Sequence, residues 1–153
     1  MTKQFVFWND LVIRANPKDW RKFDSDKQSI TIADMRLEDE PLVYVNKGFE
    51  RVTGYSRDDG VGKNCRFLQG IETDRDEVTK MREAISESKS CLVQFINYQQ
   101  NGDLFWNRLS LEPVLDSEGK AAFYIGLQND ITDMKYIEDQ IKKHLLDALR
   151  KGQ

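Results

Sequence analysis

The chain has 153 residues, of which 39% are apolar and 32% charged, and its net charge is −3. That is apolar material for one core and one domain with short extensions, without the basic excess that nucleic-acid binding asks for. The longest apolar run, AAFYIGL, is far short of a membrane span, and the start MTKQFVFWND lacks the basic and apolar regions of a signal peptide, so the expected setting is the cytosol.

Phe5, Trp8, Val12 and Ala15 recur at helical spacing before Asn16-Pro17, which predicts a short N-terminal helical piece. SITIAD and LVYVN read as two short strands separated by the acidic turn MRLEDEP. KGFERVTGYSRDDGVGKN is interrupted by glycines and predicts short helices and loops. Thr73 with Asp76 has the spacing of a capping box for a helix whose face carries Val78, Met81, Arg82 and Ile85. The pattern then changes. CLVQFINY, LFWNRLSLEPV and KAAFYIGLQND are three strands, joined by an Asn-Gly turn and by DSEG. A final helix follows, with Asp130, Thr132 or Asp133 as its cap and Met134, Ile137, Ile141, Leu145 and Ala148 or Leu149 as its stripe. The order predicts an α+β domain with one antiparallel sheet of about five strands.

Cysteine and histidine are scarce. Cys65 and Cys91 show no CxxC spacing, and His144 is the single histidine, so a disulfide, a metal site or a histidine-dependent triad has little to build on. Cys65 sits in GKNCRFLQG, where a core thiol, a metal ligand, a redox switch and a nucleophile all remain open.

Alternation along the strands narrows the choice. Asn97 shares a face with Cys91, Val93 and Phe95, Asn107 with Phe105, Leu109 and Leu111, and Gln128 with Ala122, Tyr124 and Gly126. Each buried amide left unpartnered costs about 1–3 kcal/mol. The three amides satisfy one another and the backbone, or they face a planar ligand with alternating donors and acceptors, such as the pyrimidine edge of a flavin. The opposite faces, with Leu92, Ile96, Tyr98, Phe123, Ile125 and Leu127, are apolar and call for a cover from the terminal segments or a second chain.

GKNCRFLQG, TDRDEVTKMREAI, INYQQNGDLFWNRLSLEPV and FYIGLQNDIT together closely resemble the light–oxygen–voltage (LOV) family, flavin-binding blue-light sensors of the PAS superfamily. The resemblance spans roughly residues 30–132. It implies a PAS fold: a five-stranded antiparallel sheet with short helices on one face, an N-terminal helical cap over residues 1–29, and a C-terminal helix or coiled-coil linker over 133–153. It implies noncovalent FMN and, in blue light, a reversible bond from Cys65 to flavin carbon 4a. Asn64, Leu68 and Gln69 then fall against the ring. Arg66 and Arg82 become a phosphate clamp, and Asn97, Asn107 and Gln128 take the polar ring edge. Val78, Met81, Leu109, Leu111 and Tyr124 line the pocket. Protonation of flavin nitrogen 5 reverses the Gln128 amide and passes a signal to the terminal helices.

The sequence departs from the family pattern at Lys63, usually arginine, at Gly60, usually apolar, and at Ala33, often threonine. The expected role is that of a non-enzymatic sensor module, a homodimer, working through its helices or through an effector domain or partner. A flavin-dependent redox enzyme and a chromophore-free PAS interaction domain are the competing readings. The first has no dinucleotide fingerprint to support it.

Overall fold

A computed structural model describes residues 23–152. In chain order it contains β1 (Ser29–Asp34), β2 (Leu42–Val45), α1 (Lys47–Thr53), α2 (Arg57–Gly60), a 3-10 helix (Cys65–Leu68), α3 (Arg75–Ser86), β3 (Cys91–Tyr98), β4 (Leu104–Leu115), β5 (Ala121–Asp130) and α4 (Thr132–Lys151). The predicted N-terminal helical piece lies outside the described residues, apart from the irregular segment that leads into β1. Among the described residues no helix is long and apolar enough to cross a membrane.

The five strands form one antiparallel sheet in the order β2-β1-β5-β4-β3. The first and last strands are therefore neighbours at its centre. Asn46 secures the entry to the helical layer. Its Oδ1 accepts from Phe49 N at 3.0 Å and Ile30 N at 2.9 Å, and its Nδ2 donates to the carbonyls of Phe23, Ser25 and Gln28. α1 stops at Gly54, whose φ of 76° is the left-handed conformation that glycine reaches without strain. Val45, Phe49 and Leu68 make one apolar cluster between helices and sheet, and Val78, Met81, Val93 and Leu109 belong to a second.

The helix over residues 75–86 starts one residue later than the capping-box reading has it. Asp74 is the cap, accepting from Asp76 N at 2.9 Å. Thr73 is used elsewhere: its hydroxyl donates to Ile96 O at 2.6 Å and accepts from Gly70 N at 2.9 Å, tying the start of α3 to edge strand β3. Lys63 is an exposed surface residue, and its Nζ lies 5.8 Å and 5.2 Å from the ring centres of Tyr55 and Phe67. Gly60 ends α2 against Phe49, where a Cβ would stand 3.0 Å from the ring, so an apolar side chain there would press on Phe49.

α4 meets the sheet only at its first turn. Trp106 N donates to Thr132 Oγ1, Ile131 N donates to Trp106 O, and Lys135 Nζ sits 4.8 Å from the Trp106 ring. None of its residues is buried. Leu92 and Ile125 on the outer sheet face are exposed, and among the described residues the C-terminal helix does not cover them.

Candidate functional site

The sheet's inner face, the 3-10 helix and α3 enclose a cavity in two joined parts. The inner part is a small chamber of about 30 Å³. Asn97, Asn107, Gln128, Leu109 and Leu111 from the sheet line it, with Cys65, Leu68, Gln69 and Met81 from the helical side. The outer part, about 560 Å³, opens between Arg66 and Arg82 and is also lined by Asn64 and Tyr124. Cys65, Gln69, Met81 and Leu111 border both. Of the residues expected at the site, Val78 alone does not line either part. It stays in the core beside Met81.

Register explains the convergence. Gln128 pairs with Leu109 and Asn107 with Phe95, so the three amides project from adjacent strands onto the same face. They are 2%, 1% and 5% exposed at Asn97, Asn107 and Gln128. Asn107 Nδ2 donates to Asn97 Oδ1 at 2.9 Å, which is the mutual pairing the sequence left open. It does not complete the set. Asn107 Oδ1 is buried and has no hydrogen-bond partner among the described residues. Such an acceptor costs about 1–3 kcal/mol unless a donor reaches it.

Cys65 begins the 3-10 helix, capped by Asn64, whose Oδ1 accepts from Arg66 N at 3.0 Å. Burial pushes its thiol from an ordinary 9.0 up to about 11, with Arg66 opposing the rise. The thiol is therefore protonated at neutral pH, which argues against a resting thiolate nucleophile. Cys91 is also pushed up by burial. Asn64 Nδ2 donates to Asp39 O at 2.8 Å, so both ends of that amide are held by the chain at the cavity mouth. Arg66 Nη2 meets both carboxylate oxygens of Asp39 at 2.5 Å. Tyr124 turns its hydroxyl outward from the chamber to Lys89 O at 2.9 Å.

Sequence reasoning missed several lining residues. Thr31, Phe49 and Phe95 complete the inner chamber, and Glu40 and Lys120 stand at the mouth. Strand alternation could have found Phe95 beside Asn97 and Thr31 beside Ala33. Phe49, Glu40 and Lys120 reach the cavity through loop and helix placement that no local pattern records.

Comparison with known proteins follows the same outline. The family model described as PAS domain matches residues 28–133. A blue-light photoreceptor of Listeria innocua is 38% identical over 116 residues, covering 76% of this chain and 46% of that protein. Blue-light-activated histidine kinase 2 of Erythrobacter litoralis is 45% identical over 103 residues, 67% of this chain and 30% of the kinase. The chain thus spans less than half the length of these relatives. The light-state structure of the Aureochrome1 LOV photoreceptor superposes with a TM-score of 0.68 at 39% identity, covering 76% of this chain and 91% of that one.

Proposed function

The chain belongs to the PAS domain family and, within it, to the LOV group, and we propose that it senses blue light through FMN held in the cavity beneath its sheet. The observation that carries this reading is the unpartnered Asn107 Oδ1, a buried acceptor waiting for a planar donor in the chamber that Cys65 also borders. The names of the relatives, blue-light photoreceptor and blue-light-activated kinase, support it.

Asn97 and Asn107 hold the polar edge of the ring, and Leu68, Met81, Leu109 and Leu111 pack on its faces. Gln69 and Asn64 close the Cys65 side, Val78 backs Met81, and Tyr124 walls the outer passage. Arg66 and Arg82 take the phosphate, for which guanidinium geometry is suited. When bound, FMN supplies blue-light absorption and a ring carbon that becomes electrophilic on excitation. Cys65 stays a thiol in the dark. Cys65 would supply the sulfur that bonds to that carbon and the proton released with it, and Gln128, which can offer either end of its amide, would face the ring nitrogen that takes that proton. Residues 30–132 are the sensing core, 1–29 an N-terminal extension, and 133–153 the output helix. The module itself catalyses no turnover. It acts in the cytosol as a homodimer through its helices, with an effector domain or partner protein receiving the signal.

The test is optical. The purified protein is expected to be yellow, to bleach in blue light and to recover in darkness. Cys65→Ala is expected to keep the colour and lose the reversible bleach entirely. A colourless protein, or a wild type that does not bleach, overturns the proposal.

A further inference from the structure

The β4–β5 turn and the end of α3 are fastened together beside the cavity mouth. Asp116 Oδ1 accepts from Glu118 N at 2.8 Å and from Lys120 N at 3.1 Å, and Asp116 N donates to Lys120 O at 2.7 Å. The turn is thereby closed before β5 begins. Its inner side is held by Ser88, which follows α3 with a φ of 55°, a conformation uncommon outside glycine. Ser88 N donates to Ile85 O at 3.1 Å, and its Oγ accepts from Ala121 N at 2.9 Å. The peptide joining Lys120 to Ala121 therefore touches the turn that ends α3. Lys120 lines the same outer cavity as Arg66, Arg82 and Ser86.

The three cations at this mouth are not equally free. Arg66 is engaged by both carboxylate oxygens of Asp39. Arg82 and Lys120 have no ion pair with another described residue. The acids closest to Lys120 along the chain and across the staple are already used. Glu87 is taken by Lys89 at 2.9 Å, and Asp116 spends its carboxylate on the turn. Glu40 is the carboxylate that lines the cavity. A phosphate monoester brings about −1.5 to −2 of charge at neutral pH and three strong acceptor oxygens. Arg66 and Arg82 alone do not balance Asp39, Glu40 and such a group, and Lys120 supplies the missing positive charge. A cation here also complements the carbonyl end of α3, whose last turn carries no basic residue. That role alone would leave the difference between a phosphorylated and an unphosphorylated ligand unchanged.

We propose that Lys120 is a third phosphate-binding residue, which with Arg82 holds the phosphate of FMN while Asp39 shares Arg66. This rests on the FMN reading above. The test compares FMN with riboflavin, which has the same ring and no phosphate. The full chain is titrated with each flavin as wild type, Lys120→Gln, Lys120→Arg and Lys142→Gln. Lys142 pairs with Glu138 on α4 outside the cavity, so its loss makes the same change in net charge elsewhere. Lys120→Gln is expected to weaken FMN about fivefold at about 50 mM salt and less than about twofold at about 500 mM, with riboflavin unchanged at both. Lys120→Arg and Lys142→Gln are expected to keep the FMN-to-riboflavin ratio within about twofold of wild type. A ratio that is unchanged in Lys120→Gln, or that falls as far in Lys120→Arg or Lys142→Gln, overturns the proposal. Equal weakening of both flavins in Lys120→Gln does the same, because it makes Lys120 a support of the fold. A wild type that binds both flavins equally overturns the proposal and leaves ring binding standing, whereas one that binds neither overturns the light-sensing reading with it.

Discussion

The inner face of the sheet and helix α4 invert the usual partition of side chains in opposite directions. The inner face buries three primary amides until almost nothing of them is exposed, while α4 leaves Met134, Ile137, Ile141, Leu145 and Leu149 between 54% and 65% exposed. A soluble chain gains nothing from either arrangement by itself, since buried polar groups demand partners and apolar stripes demand cover. The difference lies in what each lacks. The amide face is rigid, strand-borne and short of a hydrogen-bond donor of fixed geometry. The helix is anchored at one end, by Trp106 and Lys135, and short of an apolar surface of adjustable geometry. One suits a small ligand held in a single pose. The other suits a partner whose contacts can be made and released.

The sharpest way to break this contrast is to make the inner face apolar. Asn107→Leu removes the unpartnered acceptor and leaves Asn97 Oδ1 without its donor, so one buried deficit replaces another. Stability of the flavin-free chain to urea is therefore expected to change by less than about 1 kcal/mol, while flavin affinity falls about 10- to 100-fold. Equilibrium unfolding and flavin titration of the same variant give both numbers. A large loss of stability without a loss of affinity would make Asn107 a structural residue and erase the contrast.

The helix is probed by the reverse substitution. Ile137→Glu together with Ile141→Glu places charges on an exposed stripe. The melting temperature is expected to move by no more than about 2 °C, because no buried contact is lost. Self-association through α4, measured by light scattering in dark and light, is expected to disappear. A melting temperature that drops by about 8 °C or more would mean that α4 packs on the outer sheet face in solution.

Sequence reading fared unevenly across the same two regions, for a physical reason. Side-chain alternation is local, so the strands and the shared face of Asn97, Asn107 and Gln128 could be read from runs of eight to twelve residues. Long-range partners could not. Thr73 and Asp74 both precede acidic residues suited to a helix start, and the choice between them depends on Ile96 O, which claims the Thr73 hydroxyl. Ser29 and Thr31 alternate correctly, but their hydrogen bonds to Gln128 depend on β1 lying beside β5, a neighbour nearly one hundred residues away. For α4 the apolar periodicity is plain, yet the same stripe serves docking and dimerisation equally, and only its exposure separates the helix from its own sheet.

A smaller effect is expected from pH. The native chain holds the Cys65 proton up to about 11, whereas the unfolded chain releases it near 9.0. Between those values the unfolded state binds fewer protons, so stability falls as pH rises through the window and is unaffected below it. Urea unfolding at pH 7, 9 and 10.5 is expected to show a loss of about 2 kcal/mol, most of it in the last step. Cys65→Ala should reduce that loss and leave the part owed to Cys91, Tyr44 and Tyr124, which burial raises in the same direction. The charges on α4 supply the contrast. Glu138 is held low by its hydrogen bond to Lys142 on an exposed surface, where salt screens the pair.

The smallest effect belongs to the cavity mouth, where the two kinds of region meet. Asp39 occupies the guanidinium of Arg66, the group proposed to hold a phosphate, and both side chains are more than half exposed. An exposed pair competes weakly, so removing its charge should matter only a few-fold. Asn is the useful substitution. Asp39 has a φ of 63°, a conformation Asn tolerates, and its carbonyl contact with Asn64 does not depend on the side chain. Asp39→Asn is expected to raise affinity for FMN by up to about fivefold and to leave affinity for riboflavin, which has no phosphate, unchanged. Parallel titrations with the two flavins separate competition from positioning. Weaker FMN binding with riboflavin unchanged would show that Asp39 holds Arg66 in place for the phosphate instead of competing with it, and equal changes for both would place its influence on the Asn64–Cys65 turn.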